Sequence, residues 1–280
     1  MKIKTINKII QQKVADWLGS IDNDSLRNDV KGKVIVTGGC ITSMLQGDDV
    51  NDFDIYFKDA EITERIARYY VDIANLKHDE SITVTNDDRV RIIISSGIVG
   101  EQPEERDDSQ TQKLNTEKDQ TKDYDPIHLS ENAITLSGKV QLITRFYGDP
   151  EEIHKNYDFI HCTNYWTFDT KLVTNKRALE SILTKELHYV GSLYPICSII
   201  RTRKFIGRGW RIHAGQYLKM CFQVSELNLR DIKVLRDQLT GVDSTYFHML
   251  IQALESKMSG EKEINVSVEY LSEIIDRIFD

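Results

Sequence analysis

Lys33-Val34-Ile35-Val36-Thr37-Gly38-Gly39-Cys40-Ile41-Thr42-Ser43-Met44-Leu45-Gln46-Gly47, followed by Asp52-Phe53-Asp54-Ile55-Tyr56-Phe57, is the stretch whose reading decides the fold. Lys33 to Thr37 is a short apolar, β-branched run, the pattern of a buried strand. Gly38-Gly39 ends it, Cys40 to Gln46 reads as one or two helical turns, and Gly47 stops them. Asp52 to Phe57 reads as a second strand. Residues two apart on a strand point to the same side, so Asp52 and Asp54 present two carboxylates on one face. Such a pair repels itself and raises one pKa unless a cation sits between the charges. Hard oxygen ligands of this kind suit Mg²⁺ or Mn²⁺. Gly38-Gly39 lets the backbone approach a ligand closely. The helix behind it aims free N–H groups and its positive end at that ligand, which suits a phosphate. Thr42 and Ser43 are candidate hydroxyl donors to the same group. Taken singly, a Gly-Gly turn or an Asp-x-Asp pair is commonplace; their order along the chain is the specific signal.

Outward from this stretch, Ile6, Ile10, Val14, Trp17 and Leu18 share one face of a helix over 4–18, and Glu61 to Asn75 is a second helix. Strands are expected at 81–85, 89–95, 133–137 and 140–146, with a strand-like run at Tyr157–Thr163. Asp149-Pro150-Glu151-Glu152 opens a short helix, since Pro and acids suit its first turn. Residues 100–126 hold almost nothing to bury and are expected to be a mobile insertion. From about Asn175 the pattern is helical to the end. The expected layout is α+β: a mixed α/β part over 1–170 and an all-helical part over 171–280.

Composition narrows the function classes. The chain has 280 residues, 40% hydrophobic and 29% charged, which is ordinary globular usage and room for two domains. The formal charge of −8 argues against a surface coated for DNA, yet leaves room for one local basic groove. Four separated cysteines with no CxxC pair argue against structural zinc or a disulfide framework, so a reducing cytoplasm is expected. No apolar run reaches the roughly 18 residues of a membrane span, and the first residues lack a signal peptide's apolar block, so no membrane partner is expected.

Gly38-Gly39 with Asp52-Phe53-Asp54 resembles the signature of the DNA polymerase β-like nucleotidyltransferase superfamily. The match is closest to the head and neck of CCA-adding enzymes and bacterial poly(A) polymerases. That branch carries Gly-Gly-x-hydrophobic-Arg-Asp before its Asp-x-Asp; here Thr42-Ser43 stand in place of Arg-Asp. The resemblance implies a third carboxylate on a neighbouring strand, for which Asp158 is the candidate and Glu131 the weaker alternative. Asp158-Phe159 also resembles an element that follows the catalytic strands in that branch, which would give Asp158 a structural or nucleotide-positioning role instead.

A second match lies in the helical half. Pro195 to Ile212 echoes the branch's proline, spaced arginines and glycine-aromatic end through Arg201, Arg203, Lys204, Arg208 and Trp210. Independently of any family, this stretch is the most basic in the chain, with no acid between Glu186 and Glu226. Arginines repeated among Trp210 and Tyr217 suit phosphates and stacked bases. The resemblance thus implies a two-metal transferase that moves a nucleoside monophosphate from an NTP, ATP or CTP, to a hydroxyl acceptor. An RNA 3′ end of tRNA type is the first acceptor expected. The alternatives are a toxin-type, protein-directed or small-molecule transferase, and a catalytically silent nucleic-acid-binding module.

Overall fold

The computed structural model describes residues 1–78, 81–94, 124–239, 244–257, 264 and 266–279. The insertion expected at 100–126 lies outside the described residues except for its last three. The chain divides into two compact units, Met1–Lys155 with His161–Ile182, and Asn156–Ile160 with Leu183–Asp280.

The first unit opens with α1 (Ile3–Gly19) and α2 (Asp24–Lys31), then β1 (Val34–Thr37), α3 (Gly39–Gln46), β2 (Phe53–Phe57) and α4 (Ala60–His78). The hairpin β3 (Ile82–Asn86) and β4 (Val90–Ile94) follows, then β5 (Pro126–Ser130), β6 (Ala133–Leu136) and β7 (Val140–Tyr147). The short α5 (Pro150–His154), β8 (Tyr165–Thr167), β9 (Lys171–Val173) and α6 (Lys176–Thr184) come last. Seven strands form one sheet in the order β5-β6-β7-β2-β1-β8-β9. β2 runs parallel to β7, while β1 pairs antiparallel with both β2 and β8, so the sheet is mixed. The expected break at 170 falls inside this unit because β9 pairs with β8 and completes the sheet.

One face of the sheet makes the core. Val34, Val36, Phe53, Ile55, Phe57 and Trp166 turn the same way and pack with α1 and α4 residues such as Ile10, Trp17, Ile66 and Tyr70. Ile6, Ile10, Val14, Trp17 and Leu18 are all buried, as their helical spacing predicts. Inside this cluster the Trp17 indole N–H donates to the Tyr70 hydroxyl at 2.9 Å. Helix α2 forms over a largely polar stretch. Asn23 caps it by accepting from the Leu26 N–H, and Leu26 and Val30 supply its buried side.

The second unit is helical: α7 (Pro195–Gly207), α8 (Ala214–Ser225), α9 (Ile232–Leu239), α10 (Ser244–Glu255) and α11 (Val268–Phe279). Edge-on aromatic contacts run from Tyr189 to Phe159, Phe205 and Trp210, with centroid separations of 6.0, 5.4 and 6.1 Å. The strand expected at Tyr157–Thr163 is not formed. Ile160–Cys162 is a single 3₁₀ turn, and Asp158 and Ile160 spend their backbone groups on Val190 and His188 rather than on a sheet neighbour. Among the described residues no helix is long and apolar enough to cross a membrane.

Substituting Tyr70→Phe removes the acceptor of the buried Trp17 N–H. It is expected to lower the unfolding free energy by about 1–3 kcal/mol, measured as a lower urea midpoint with an unchanged slope.

Candidate active site

The strand–turn–helix–strand order read from the sequence is present, and it brings Gly38, Gly39, Thr42, Ser43, Asp52 and Asp54 onto adjacent elements of the first unit. Gly38 has φ +99°, a conformation that side chains strain to adopt, and it hands the chain from β1 to α3. A Cβ at Gly39 would meet no atom within 4 Å, so the first turn of α3 is open on that side. The Gly38 N–H is bound to the Cys162 carbonyl at 3.2 Å, which pins the turn to the segment before β8.

The β1–β2 register decides where the carboxylates go. Val34, Ile35 and Val36 stand opposite Phe57, Tyr56 and Ile55. Phe53, Ile55 and Phe57 therefore fill the core face, and Asp54 falls on the other one with Ile35, Thr37 and Tyr56. Asp52 directly precedes the strand. In that face Asp54 stands opposite Gln141 of β7, and Thr37 opposite Tyr165 of β8. Asp52 is exposed and Asp54 half-buried. Burial pushes the Cys40 thiol far up; the Asp54 charge adds to the rise while the Asp54 backbone opposes it. Asp54 thus lies beside the first turn of α3.

Thr42 departs from its expected role. It is buried, and its hydroxyl donates its one proton to the His161 carbonyl at 2.9 Å, so it ties α3 down instead of offering a donor to a ligand. Ser43 is half-buried, and its carbonyl accepts from the Gly47 and Asp48 N–H groups that end the helix.

Asp158 lies in the second unit and on no strand. Its carboxylate forms an ion pair with Arg201 at 2.8 Å, and its carbonyl accepts from Val190. Glu131 is likewise engaged, with Arg89 at 2.8 Å and Arg91 at 3.4 Å. Among the described residues no three His, Cys, Asp or Glu side chains form a group placed to hold a metal ion. Asp52 and Asp54 are hard oxygen donors, of the chemistry that suits Mg²⁺ or Mn²⁺.

On α7, Arg203 and Lys204 are exposed, as is Arg208 at the helix end. Helical spacing puts Arg201, Lys204 and Arg208 on one side and Arg203 on the other. Trp210 is 5% exposed and packs edge-on against Phe205, so it builds the core of its unit and offers no face to a base.

Sequence reasoning missed His154. Its ring sits on the carboxylate-bearing side of the sheet, 2.8 Å from the Thr37 hydroxyl and 5.9 Å, centroid to centroid, from the Tyr165 ring. No motif announces it; only the β1–β8 register shows that Thr37 and Tyr165 are neighbours.

A mixed sheet, a glycine turn opening a short helix and an Asp-x-Asp strand beside it define a nucleotidyltransferase-like fold. The family model described as "Gabija anti-defense 2 family protein" matches residues 8–185, and the chain belongs to that family. It is 21% identical over 253 residues to "Gabija anti-defense 2" of Bacillus phage SPbetaL7, covering 89% of this chain and 49% of that protein. The chain thus spans about half the length of that relative. Among solved structures it is similar to the Thermotoga maritima CCA-adding enzyme complexed with tRNA, at 13% identity and TM-score 0.42, covering 94% of this chain and 68% of the other. It is also similar to a CCA-adding enzyme with ATP, at 14% identity and TM-score 0.45, covering 97% and 65%.

Burial lowers the His154 pKa from its usual 6.5 to about 4, against a smaller upward pull from Glu151. A folded-state value below the unfolded one means the unfolded chain binds the extra proton first. The contribution is complete above pH 6.5 and is lost as pH falls towards 4. Urea midpoints across that interval should fall more steeply for the parent than for His154→Gln, since the carboxylates titrate alike in both.

Proposed function

We propose that this chain transfers a nucleoside monophosphate from an NTP to a hydroxyl acceptor. The observation that carries the reading is the position of Asp54, beside the first turn of α3 and on the sheet face that also bears Thr37 at the glycine turn. One element offers backbone N–H groups and a positive helix end; the next offers paired negative oxygens. That opposition suits a triphosphate with its cation.

In the reaction, the acceptor oxygen attacks the α-phosphorus, a P–O bond forms, and the bond to the bridging oxygen of the β-phosphate breaks. Pyrophosphate leaves, and the acceptor proton passes to solvent. Mg²⁺ or Mn²⁺, when bound, supplies charge neutralisation on the reacting and leaving oxygens. Asp52 and Asp54 would hold it. The Gly38-Gly39 turn and the first turn of α3 would orient the β- and γ-phosphates, with Ser43 as the remaining hydroxyl donor. Arg203, Lys204 and Arg208 would bind phosphates of the NTP or the acceptor. Arg201 would do so with its guanidinium held by Asp158, which gives Asp158 a positioning role in place of the metal-ligand role first expected.

An RNA 3′ end is the first acceptor, on the resemblance of the glycine turn, the paired aspartates and the arginine-rich stretch to the CCA-adding branch. Membership of a family named for anti-defence against Gabija favours a second acceptor, a macromolecular component of that defence. The protein would act in the cytoplasm, where its free cysteines stay reduced.

Purified protein with Mg²⁺ and each α-labelled NTP is expected to label total RNA, or a protein band from a Gabija-bearing host. Asp52→Ala and Asp54→Ala should each lower the rate at least about 100-fold with an unchanged circular dichroism spectrum. Labelling that persists in the double variant, or no labelling of any acceptor, defeats the reading.

A further inference from the structure

Thr37 is the last residue of β1, directly before Gly38, and it is fully buried. Its hydroxyl oxygen lies 2.9 Å from the Asn164 carbonyl, 3.4 Å from the Cys162 carbonyl and 2.8 Å from His154 Nε2. A hydroxyl has one proton to give, and two carbonyls can only accept. The Thr37 proton therefore goes to Asn164, and the third neighbour must be a donor. That assigns Nε2–H to His154 as the tautomer that donates to Thr37.

The bond spans three elements. α5 supplies His154, β1 ends in Thr37, and the segment entering β8 supplies Asn164. The same segment holds the glycine turn from the other side, through Cys162 and the Gly38 N–H. The turn has no side chain with which to fix itself, and Gly38 holds a positive φ. Its direction is set by its flanks. The groups bearing on the imidazole are Glu151 of its own helix, Thr37 of β1 and Tyr165 of β8. β7, which α5 also packs against, carries Arg145 as its charged residue.

We propose that His154 is a positioning residue of the phosphate end of the site, fixing the Gly38-Gly39 turn by donating Nε2–H to Thr37. It touches no reacting atom. The proposal rests on the transferase reading for its ligand, an NTP, and on the hydrogen-bond geometry alone for the link itself.

Three variants and two readouts test it. His154→Phe keeps a flat ring and loses the donor; His154→Gln keeps an N–H at similar reach; Thr37→Val removes the hydroxyl. Binding of a non-hydrolysable NTP analogue with Mg²⁺ is measured by calorimetry. The Gly38 and Gly39 amide resonances are followed in ¹⁵N-glycine protein without nucleotide. His154→Phe is expected to weaken binding about tenfold and to move both amides, and His154→Gln to restore both to within about twofold of the parent. Thr37→Val, which also removes the bond to Asn164, should cost at least as much as His154→Phe, and adding His154→Phe to it should cost little more, because the His154 link is already broken. Analogue binding by His154→Phe equal to the parent's, failure of Gln to rescue, or full additivity overturns the proposal. Should the parent transfer no nucleotide to any acceptor, the functional reading fails by itself. The glycine amides then decide: moved by Phe and restored by Gln, the link stands; unmoved, it is gone.

Discussion

The antiparallel pairing of β1 with β2 is the constraint on which the site depends. Val36 opposite Ile55 places hydrophobic side chains of both strands in the core and sends Asp54 and Thr37 to the other face. A slip of one residue would invert this, burying a carboxylate and exposing Phe53, Ile55 and Phe57 together. Core burial and site geometry are thus one requirement. The apolar residues that stabilise the sheet are the ones that keep Asp54 on the opposite face, beside Thr37.

The end proposed to hold phosphate has its nearby threonine hydroxyls and its turn amide engaged within the protein. Thr42 is spent on His161, Gly38 on Cys162 and Thr37 on Asn164 and His154. The bonds to His161, Cys162 and Asn164 fasten the turn and α3 to the segment that leads into β8, and the bond to His154 ties β1 to α5. A buried hydroxyl or carbonyl left unmade there would be costly, so these bonds come with the fold. They hold the turn and α3 in place, which the proposed orienting of a triphosphate would need.

The β1–turn–α3–β2 segment was legible because every local signal agreed: an apolar run, paired glycines, and a two-residue alternation of acids and aromatics. α1 and α4 were legible from their 3.6-residue spacing. What escaped had weak or split signals. α2 depends on an Asn23 cap and only two buried residues, Leu26 and Val30. β8 and β9 are three residues each, too short for any period to show. The apolar run around Asp158 looked like a strand, but Phe159 is buried by Tyr189 and Phe205, partners far along the chain. Trp210 had the residue type for base stacking and the burial of a core residue, and only packing distinguishes the two. Asp158 shows the same limit: an acid among apolar neighbours needs a partner, and the partner is Arg201.

The parallel pairing of β2 with β7 has a consequence for how such a chain can diverge. Parallel neighbours cannot be joined by a tight turn, so the polypeptide leaves the site after Phe57 and returns only at Val140. That excursion carries α4, whose Ile66 and Tyr70 pack in the core, and β5 and β6, which extend the sheet beyond β7. A change of length within it is compatible with the register of the aspartate strand only where α4, β5 and β6 stay in place.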